Sequence, residues 1–318
     1  MRGVTIITAS KRQLKLTGIL LLFGMLGSTQ VLAETDAEGN EFALKGAQTC
    51  LKCHDEYPTK FIFQTPHVQK ADKRTPFATH ECETCHGASQ DHLIELAPPQ
   101  IVFGMRSKNY RVSGVDEQNK VCLGCHESGL VMHWRGSQHQ SADVPCASCH
   151  NVHAPKDPVL VKKEQAEVCF TCHTDNRAQL WRRSRHPIRE GKVVCSDCHN
   201  SHGSPGQTLL AKNTVNETCF QCHAETRGPF LWEHQPVRED CTICHNPHGS
   251  VQPRMLVQRT PFLCNMCHAQ TRHPSDFRDG SGLPANAGAD NRLLGKGCLN
   301  CHSKIHGSNH PSGPGLTR

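Results

Sequence analysis

Twenty cysteines, grouped as ten Cys-x-x-Cys-His motifs, constrain this chain of 318 residues more than any other feature. Every cysteine belongs to a motif, and a histidine follows each pair directly. Two thiols at i and i+3 can bond covalently to one porphyrin while the adjacent imidazole binds its iron, so the motif predicts c-type haem attachment. Numbered in chain order, motifs 1 to 10 are Cys50/Cys53/His54, Cys82/Cys85/His86, Cys122/Cys125/His126, Cys146/Cys149/His150, Cys169/Cys172/His173, Cys195/Cys198/His199, Cys219/Cys222/His223, Cys241/Cys244/His245, Cys264/Cys267/His268 and Cys298/Cys301/His302.

Two other uses of cysteine compete with this interpretation. A disulfide framework suits an exported protein, but it gives no reason for a histidine after all ten pairs. Zinc sites use Cys-x-x-Cys pairs, but they combine two such halves rather than one pair with a fixed third residue. Ten motifs without an exception therefore favour ten covalently bound haem c groups.

The composition points to an interior that is not built from side chains. Only 36% of the residues are hydrophobic, a share that includes all twenty cysteines, and the chain has 11 Phe, 3 Trp and 2 Tyr. This is too little for an ordinary core at such a length. We therefore expect a multihaem cytochrome c that is mostly coil with short α-helices and has a haem-dominated core. One short helix is expected near residues 175–185, residues 280–288 read as a loop, and no strand ladder is apparent.

The histidines outside the motifs are numerous enough to complete the coordination of every iron. The chain has 23 His, so thirteen lie outside the motifs. With two histidines on each iron, ten of these thirteen serve as distal ligands. At least one follows each motif, and the predicted ligands are His67, His92, His139, His153, His186, His202, His234, His248, His273 and His306. His310 is the alternative to His306, while His80 and His133 are surplus. Spacing does not assign a distal ligand to a haem, because the ligand can come from a neighbouring repeat.

The motifs also define an internal repeat. Five units, each reading motif, free His, motif, free His, start at Cys50, Cys122, Cys169, Cys219 and Cys264. Repeats of about 50 residues are typical of linear arrays in which each unit contacts its neighbours. About 28 residues per haem are too few to enclose each porphyrin separately, so an elongated linear haem array with closely spaced rings is expected. Two histidines per iron favour low potentials and leave no open position, which predicts an electron carrier and not an enzyme.

Residues 1–33 have the pattern of an export signal. Four basic residues precede an apolar run at 19–26, and small residues at 31 and 33 lie before a cleavage site at Glu34. The alternative is an uncleaved membrane anchor. After residue 34 no run is long and apolar enough to span a bilayer. Removing the four basic residues lowers the formal charge of +6 to about +2, so no nucleic-acid partner is expected.

The mature chain resembles the exported decahaem cytochromes of the MtrA, PioA, MtoA and DmsE type. The resemblance rests on the ten motifs in order and on residues 143–158, 231–234, 244–250 and 306–313. It implies two pentahaem halves, residues 34–178 and 179–318, lying within an outer-membrane β-barrel porin. It also implies a periplasmic location associated with the outer membrane. The partners would be a periplasmic or inner-membrane cytochrome on one side and an extracellular multihaem cytochrome or reductase on the other.

Three functions are compatible with these observations. The first is conduction across the outer membrane inside a porin, for extracellular metal respiration or ferrous iron oxidation; a polar chain without a membrane segment could cross a bilayer only within a partner's lumen. The second is a soluble periplasmic shuttle to a terminal reductase, such as a sulfoxide reductase. The third is a multihaem enzyme, which should carry an atypical motif or lack some distal histidines; this chain has neither feature.

Overall fold

The computed structural model describes residues 34–43, 45–105, 111–268 and 297–318. Over these residues the chain is mostly coil with short helices and only isolated β-bridges, which confirms the predicted fold class. The leader at 1–33, the predicted loop at 280–288 and His273 lie outside the described residues. The α-helices are α1 (Ala47–Cys50), α2 (Glu83–His86), α3 (Gln90–Glu95), α4 (Val115–Leu123), α5 (Gln138–Ser141), α6 (Gln165–Phe170), α7 (Thr174–Gln179), α8 (Val215–Phe220), α9 (Gln235–Glu239) and α10 (Phe262–Asn265).

Odd-numbered and even-numbered motifs differ in their local secondary structure. Every odd-numbered motif has its first cysteine in the last turn of an α-helix, namely α1, α4, α6, α8 or α10. Motif 2 lies on α2, and each later even-numbered motif opens a 3₁₀ turn. These turns are Cys146–Ser148, Cys195–Asp197, Cys241–Ile243 and Cys298–Asn300. Helices of four to nine residues are too short to be stable alone. Tertiary contacts must therefore hold them.

Buried amides supply such contacts within a unit. Asn119 on α4 accepts a hydrogen bond from the Cys146 backbone N–H at 2.8 Å, and Asn216 on α8 accepts one from the Cys241 N–H at 2.9 Å. Gln165 on α6 accepts a hydrogen bond at 3.0 Å from the backbone N–H of Ser196, the residue after Cys195 in motif 6. All three amides are buried. In units 2 to 4, a side chain on the odd-motif helix therefore fixes the start of the following even motif.

The apolar core of the described residues is small and divided. One cluster contains Ala47, Ile62 and Phe77, and the other contains Ala166, Phe170, Leu180 and Ile188. The second cluster includes residues on both sides of the division predicted at residues 178/179. The division into halves stays a prediction.

The helix expected near residues 175–185 is shorter than predicted. It begins at Thr174 and ends at Gln179. Leu180 is then buried in the cluster, and Ser184 pairs in an isolated bridge with Ser250 of the next unit. The chain leaves the helix early because these two contacts require a turn. No helix among the described residues is long and apolar enough to cross a membrane.

Candidate haem centres

All ten motifs adopt the same tight backbone turn. In motif 1 the Cys50 carbonyl accepts hydrogen bonds from the Cys53 N–H at 3.1 Å and the His54 N–H at 2.9 Å, and the other nine motifs repeat this pair of bonds. A turn of this kind brings the two thiols and the imidazole of one motif into a compact group. All twenty cysteines lie in the described ranges, and none forms a disulfide. The thiols are therefore free for thioether bonds.

The second cysteines are less covered by the chain than a core built around the motifs would suggest. All ten first cysteines are half-buried, and so are Cys85 and Cys244 among the second cysteines. The other eight second cysteines are exposed, namely Cys53, Cys125, Cys149, Cys172, Cys198, Cys222, Cys267 and Cys301.

The position of each cysteine in its turn explains this difference between first and second cysteines. The first cysteine lies on a helix or 3₁₀ turn that packs against the other motif of its unit, whereas the second cysteine follows at the open end of that turn. Protein side chains therefore do not enclose these eight attachment positions. An accessible sulfur suits a residue that must bond to a large planar group, so all eight stay proposed attachment sites.

Within the described residues, nine motif histidines each face a second imidazole. The ring centres lie 5.9–6.3 Å apart in every pair. Metal–nitrogen bonds of about 2.0 Å on opposite sides of one iron place two ring centres about 6 Å apart. The rings therefore fit the two axial positions of a haem. The pairs, motif histidine first, are His54–His92, His86–His153, His126–His67, His150–His202, His173–His139, His199–His248, His223–His186, His245–His306 and His268–His234.

The pairing follows a rule that spacing did not reveal. We call the units 1 to 5, each beginning at its odd-numbered motif. From unit 2 onward, each odd motif faces a histidine from the preceding unit, as His173 of unit 3 faces His139 of unit 2. Each even motif in units 1 to 4 faces a histidine from the following unit, as His150 of unit 2 faces His202 of unit 3. Neighbouring units therefore exchange imidazoles.

The exchanged imidazoles are tied to one another by hydrogen bonds. His139 Nδ1–H donates to the carbonyl of Ser201, the residue before His202, at 2.7 Å. His186 Nδ1–H donates in the same way to the carbonyl of Pro247 at 2.9 Å. In both cases, the histidine that faces a motif of the following unit also donates a hydrogen bond to that unit. The accepting residue directly precedes the histidine that faces a motif of the preceding unit. We call this arrangement the ligand clasp.

Glycine makes the close approach at the clasp possible. Gly203 and Gly249 follow the distal histidines directly and have φ values of +110° and +141°. A Cβ at Gly203 would overlap the His133 carbonyl, and a Cβ at Gly249 would overlap the Gln179 carbonyl of the preceding unit. Only glycine meets both the backbone and the steric requirement. The two turns that contain these glycines thus serve as contacts between units.

The Nδ1 atoms of the even-motif histidines are also occupied. Four donate to backbone carbonyls, and one donates to a carboxylate at 2.6 Å. The pairs are His86–Ile101, His199–Thr208, His245–Arg254 and His302–Gly315 for the carbonyls, and His150–Asp157 for the carboxylate. A proton fixed on Nδ1 leaves Nε2 as the nitrogen available to a metal. The local structure thus selects the tautomer that a haem iron requires.

Burial keeps several of these imidazoles neutral. Desolvation lowers the pKa of six predicted ligands, and neighbouring imidazoles lower it further. They are His67, His86, His202, His234, His248 and His306. The neutral imidazole is the form that binds a metal. Buried polar atoms without a protein partner also occur, among them Trp134 Nε1 and Arg185 Nε, as expected around a polar edge of a bound group.

The thiols show how the motifs follow one another in space. Inside each unit the first cysteines of the two motifs contact each other; in unit 2 this contact lowers the pKa of Cys122 to about 7 and raises that of Cys146. The pairs are Cys50–Cys82, Cys122–Cys146, Cys169–Cys195, Cys219–Cys241 and Cys264–Cys298. Between units the second cysteine of each even motif lies beside the next odd motif, at Cys85, Cys149, Cys198 and Cys244. Each of the nine pairs of consecutive motifs is thus adjacent in the structure.

His80, His133 and His310 lie apart from these pairs. His306, not His310, faces a motif histidine; His310 Nδ1 accepts a hydrogen bond from the Ser312 N–H at 3.2 Å. His80 stacks on Phe42 with ring centres 3.8 Å apart, and His133 is exposed. Sequence reasoning missed Asp157, because an aspartate in a loop after a motif has no distinctive pattern. It also missed the exchange of imidazoles between units.

Comparisons with known proteins identify relatives that share such motifs. Residues 186–228 and 234–273 match the family model of the doubled CXXCH motif, and residues 82–166 match that of the NrfB-like c-type cytochromes. The chain is 28% identical over 130 residues to cytochrome c-type protein NrfB of Haemophilus influenzae, covering 35% of this chain and 56% of that protein. It is 47% identical over 284 residues to multiheme cytochrome MtrA of Shewanella baltica, covering 89% of this chain and 84% of that protein. With haem c bound covalently through such motifs, the chain belongs to the MtrA family of multihaem electron-transfer cytochromes.

Proposed function

We propose that the chain is a ten-haem electron conduit in which every iron has two histidine ligands. The observation that carries the proposal is the set of nine imidazole pairs, each spaced for one iron. In each site the two cysteines of a motif hold the porphyrin, the motif histidine is the proximal ligand, and the paired histidine is the distal ligand. Haem supplies an iron that accepts and releases one electron.

The tenth site follows from the arrangement at the first and last motifs of this sequence. At motif 1, His54 faces His92, which follows motif 2 of its own unit. For motif 10, the symmetrical choice is the histidine that follows motif 9 of its own unit. We assign His273, which lies outside the described residues, as the distal ligand of the haem at His302. Every predicted distal histidine then serves one haem.

The order of the motifs supports a single path for electrons. Each motif lies beside the next through its thiols, from motif 1 to motif 10. Porphyrins bonded to adjacent thiols are close neighbours, so an electron can pass from one to the next without leaving the chain. Six-coordinate iron leaves no position for a substrate, which favours a carrier over an enzyme.

We place this conduit in the periplasm, within an outer-membrane β-barrel porin. Similarity to MtrA over 89% of the chain supports this location. A periplasmic or inner-membrane cytochrome would exchange electrons at one end, and an extracellular multihaem cytochrome or reductase at the other. This arrangement suits extracellular metal respiration or ferrous iron oxidation. The alternative is a soluble periplasmic shuttle.

Two experiments test the proposal. Mass spectrometry of the mature, exported protein should give ten haems, and electron paramagnetic resonance should give only low-spin iron; five-coordinate high-spin iron in the intact protein would contradict the ligand assignment. For the location, the outer-membrane fraction should contain the protein together with a β-barrel protein. Recovery of the whole population in the periplasmic extract would instead support the shuttle.

A further inference from the structure

Motif 4 differs from the other even-numbered motifs in the partner of its proximal histidine. His150 Nδ1 lies 2.6 Å from Asp157 Oδ2, whereas His199 and His245, at the equivalent places in units 3 and 4, donate to the carbonyls of Thr208 and Arg254. The donor atom is the same in all three, but only the acceptor at motif 4 carries a full charge, and its distance of 2.6 Å is shorter than the 3.0 Å and 2.9 Å of the other two. The three motifs therefore form an internal comparison.

The backbone explains why motif 4 uses a side chain. In units 3 and 4 the loop turns back through left-handed residues, with φ of +50° at Thr208 and +59° at Arg254, and presents a carbonyl to the imidazole. In unit 2 a 3₁₀ turn at Pro158–Leu160 begins directly after Asp157, whose side chain caps it. The carboxylate thus lies where the other loops place a carbonyl.

The Asp157 carboxylate is held firmly and is shielded from water. Its Oδ1 accepts hydrogen bonds from the Asn151 N–H at 3.2 Å and the Val159 N–H at 3.4 Å, while Oδ2 is left to His150. Its side chain is 15% exposed. His223 also lies near a carboxylate, that of Glu225, but at 3.5 Å and with the Glu225 side chain 71% exposed. Water screens such an exposed charge.

A half-buried carboxylate that accepts the Nδ1–H bond affects how Nε2, on the other side of the ring, binds the iron. A charged acceptor forms a stronger hydrogen bond than a neutral carbonyl. It draws the Nδ1 proton away from the ring and makes Nε2 a stronger donor to the metal. Stronger donation and a nearby negative charge both stabilise Fe³⁺ relative to Fe²⁺, and hydrogen bonding around the ligands is an established control on haem potential.

We propose that Asp157 is a positioning residue that gives the haem of motif 4 a lower reduction potential than the haems of motifs 6 and 8. The inference rests on the proposed ligation by His150 and His202. An electron that passes between units 2 and 3 then meets the haem of motif 4, which is reduced only at a lower potential than the haems of motifs 6 and 8. The charge on one side chain sets an uphill step inside the array.

The test compares Asp157→Asn with wild type in the intact, haem-loaded protein by spectroelectrochemical titration. The amide still accepts the Nδ1–H bond but has no charge. We expect one haem of ten to become easier to reduce by about tenfold in its equilibrium constant, which is 59 mV for one electron. Its ferric electron paramagnetic resonance signal should also change. Asp157→Glu, which keeps the charge, should retain the low-potential component.

Asp36→Asn is the matched control. Asp36 lies outside the ten motifs, and its Oδ1 accepts hydrogen bonds from the Glu38 N–H at 3.0 Å and the Asn40 N–H at 2.8 Å rather than from an imidazole. This variant should leave the haem spectrum unchanged. An unchanged titration of Asp157→Asn, or the same potential and spectral changes in Asp36→Asn, would overturn the proposal. The proposal would also be overturned if the ferric electron paramagnetic resonance spectrum of the wild type lacked one component with stronger axial donation. This measurement does not depend on the folding of any variant.

The haem count and spin state separate this inference from the proposed function. Both should be the same in wild type, Asp157→Asn and Asp36→Asn, because neither substitution removes an iron ligand. Fewer than ten haems or high-spin iron in wild type would contradict the ligation itself. Ten low-spin haems with an unchanged titration in Asp157→Asn would contradict only the role of Asp157.

Discussion

The first unit and the internal units obtain their second imidazoles in different ways. In unit 1, His54 faces His92 from the same unit. In units 2 to 4, residues 122–263, all six motif histidines face imidazoles from neighbouring units. An internal unit is therefore incomplete without both neighbours, whereas the first unit completes one of its two sites alone. As in other repeat proteins, the terminal unit acts as a cap.

The largest effect expected from this comparison is the loss of an exchanged ligand. His202→Ala should convert one haem of ten, that of His150 in the preceding unit, to high spin, and should lower stability by about 3 kcal/mol because two units lose a link. His92→Ala should also produce one high-spin haem, but without loosening a neighbouring unit. Electron paramagnetic resonance and thermal unfolding measure both results. His133→Ala should change neither signal, and equal destabilisation by His202→Ala and His92→Ala would remove the distinction.

A smaller effect is expected where only the backbone of the clasp is disturbed. Gly249→Ala places a methyl group against the Gln179 carbonyl at a φ of +141°, which should cost about 2–3 kcal/mol and weaken the junction of units 3 and 4. Gly104→Ala tests strain alone, since Gly104 has a φ of +138° and its Cβ would make only an ordinary contact, 3.7 Å from Val112 Cγ1. Thermal unfolding compares the two variants. A loss for Gly104→Ala as large as that for Gly249→Ala would attribute the effect to backbone strain alone.

A contact inside one unit should have a smaller and more local effect. Asn216→Ala leaves the Cys241 N–H without its acceptor, at a cost of about 1–2 kcal/mol. Hydrogen exchange should accelerate at motif 8 and remain unchanged at the clasps. The exposed Asn213 provides the control substitution to Ala. If hydrogen exchange also accelerated across units 3 and 5, then loss of a contact within unit 4 would not have a local effect. Contacts within a unit and contacts between units would then not be distinguishable.

The smallest expected effect is spectroscopic and needs no substitution. The two imidazole planes lie 11° apart at His150–His202 but 75° apart at His126–His67. Near-parallel and near-perpendicular axial rings give different low-spin signals, because ring orientation sets the splitting of the iron d orbitals. The oxidised protein should therefore show both types of signal. A spectrum with one type only would contradict the ring angles of these sites.

The sequence predicts the covalent part of each site better than the long-range part. The motifs identify the cysteines and proximal histidines because that chemistry is confined to five consecutive residues. The pairing of distal histidines is not readable, since His139 and His186 each lie 13 residues after a motif histidine but face the motif of the next unit. Distance along the chain does not encode exchange between units.

The groups that accept hydrogen bonds from the Nδ1 atoms could not be predicted from the sequence, for a different reason. Carbonyls such as that of Thr208 are present in every residue, and only backbone geometry makes one of them an acceptor. The helix expected near 175–185 was too long because propensity does not register the burial of Leu180 or the bridge at Ser184. The mostly coil fold was predictable, because too few apolar residues were available for anything else.

The exchange of imidazoles has a consequence for how such chains change in length over evolution. Each internal unit provides one histidine to the unit before it and one to the unit after it, and it receives the same number. If a whole internal unit is deleted or duplicated in frame, the flanking units meet equivalent donors, and no iron is left without a ligand so long as both terminal units remain. A conduit of this design could thus grow or shrink by two haems at a time through a single recombination event.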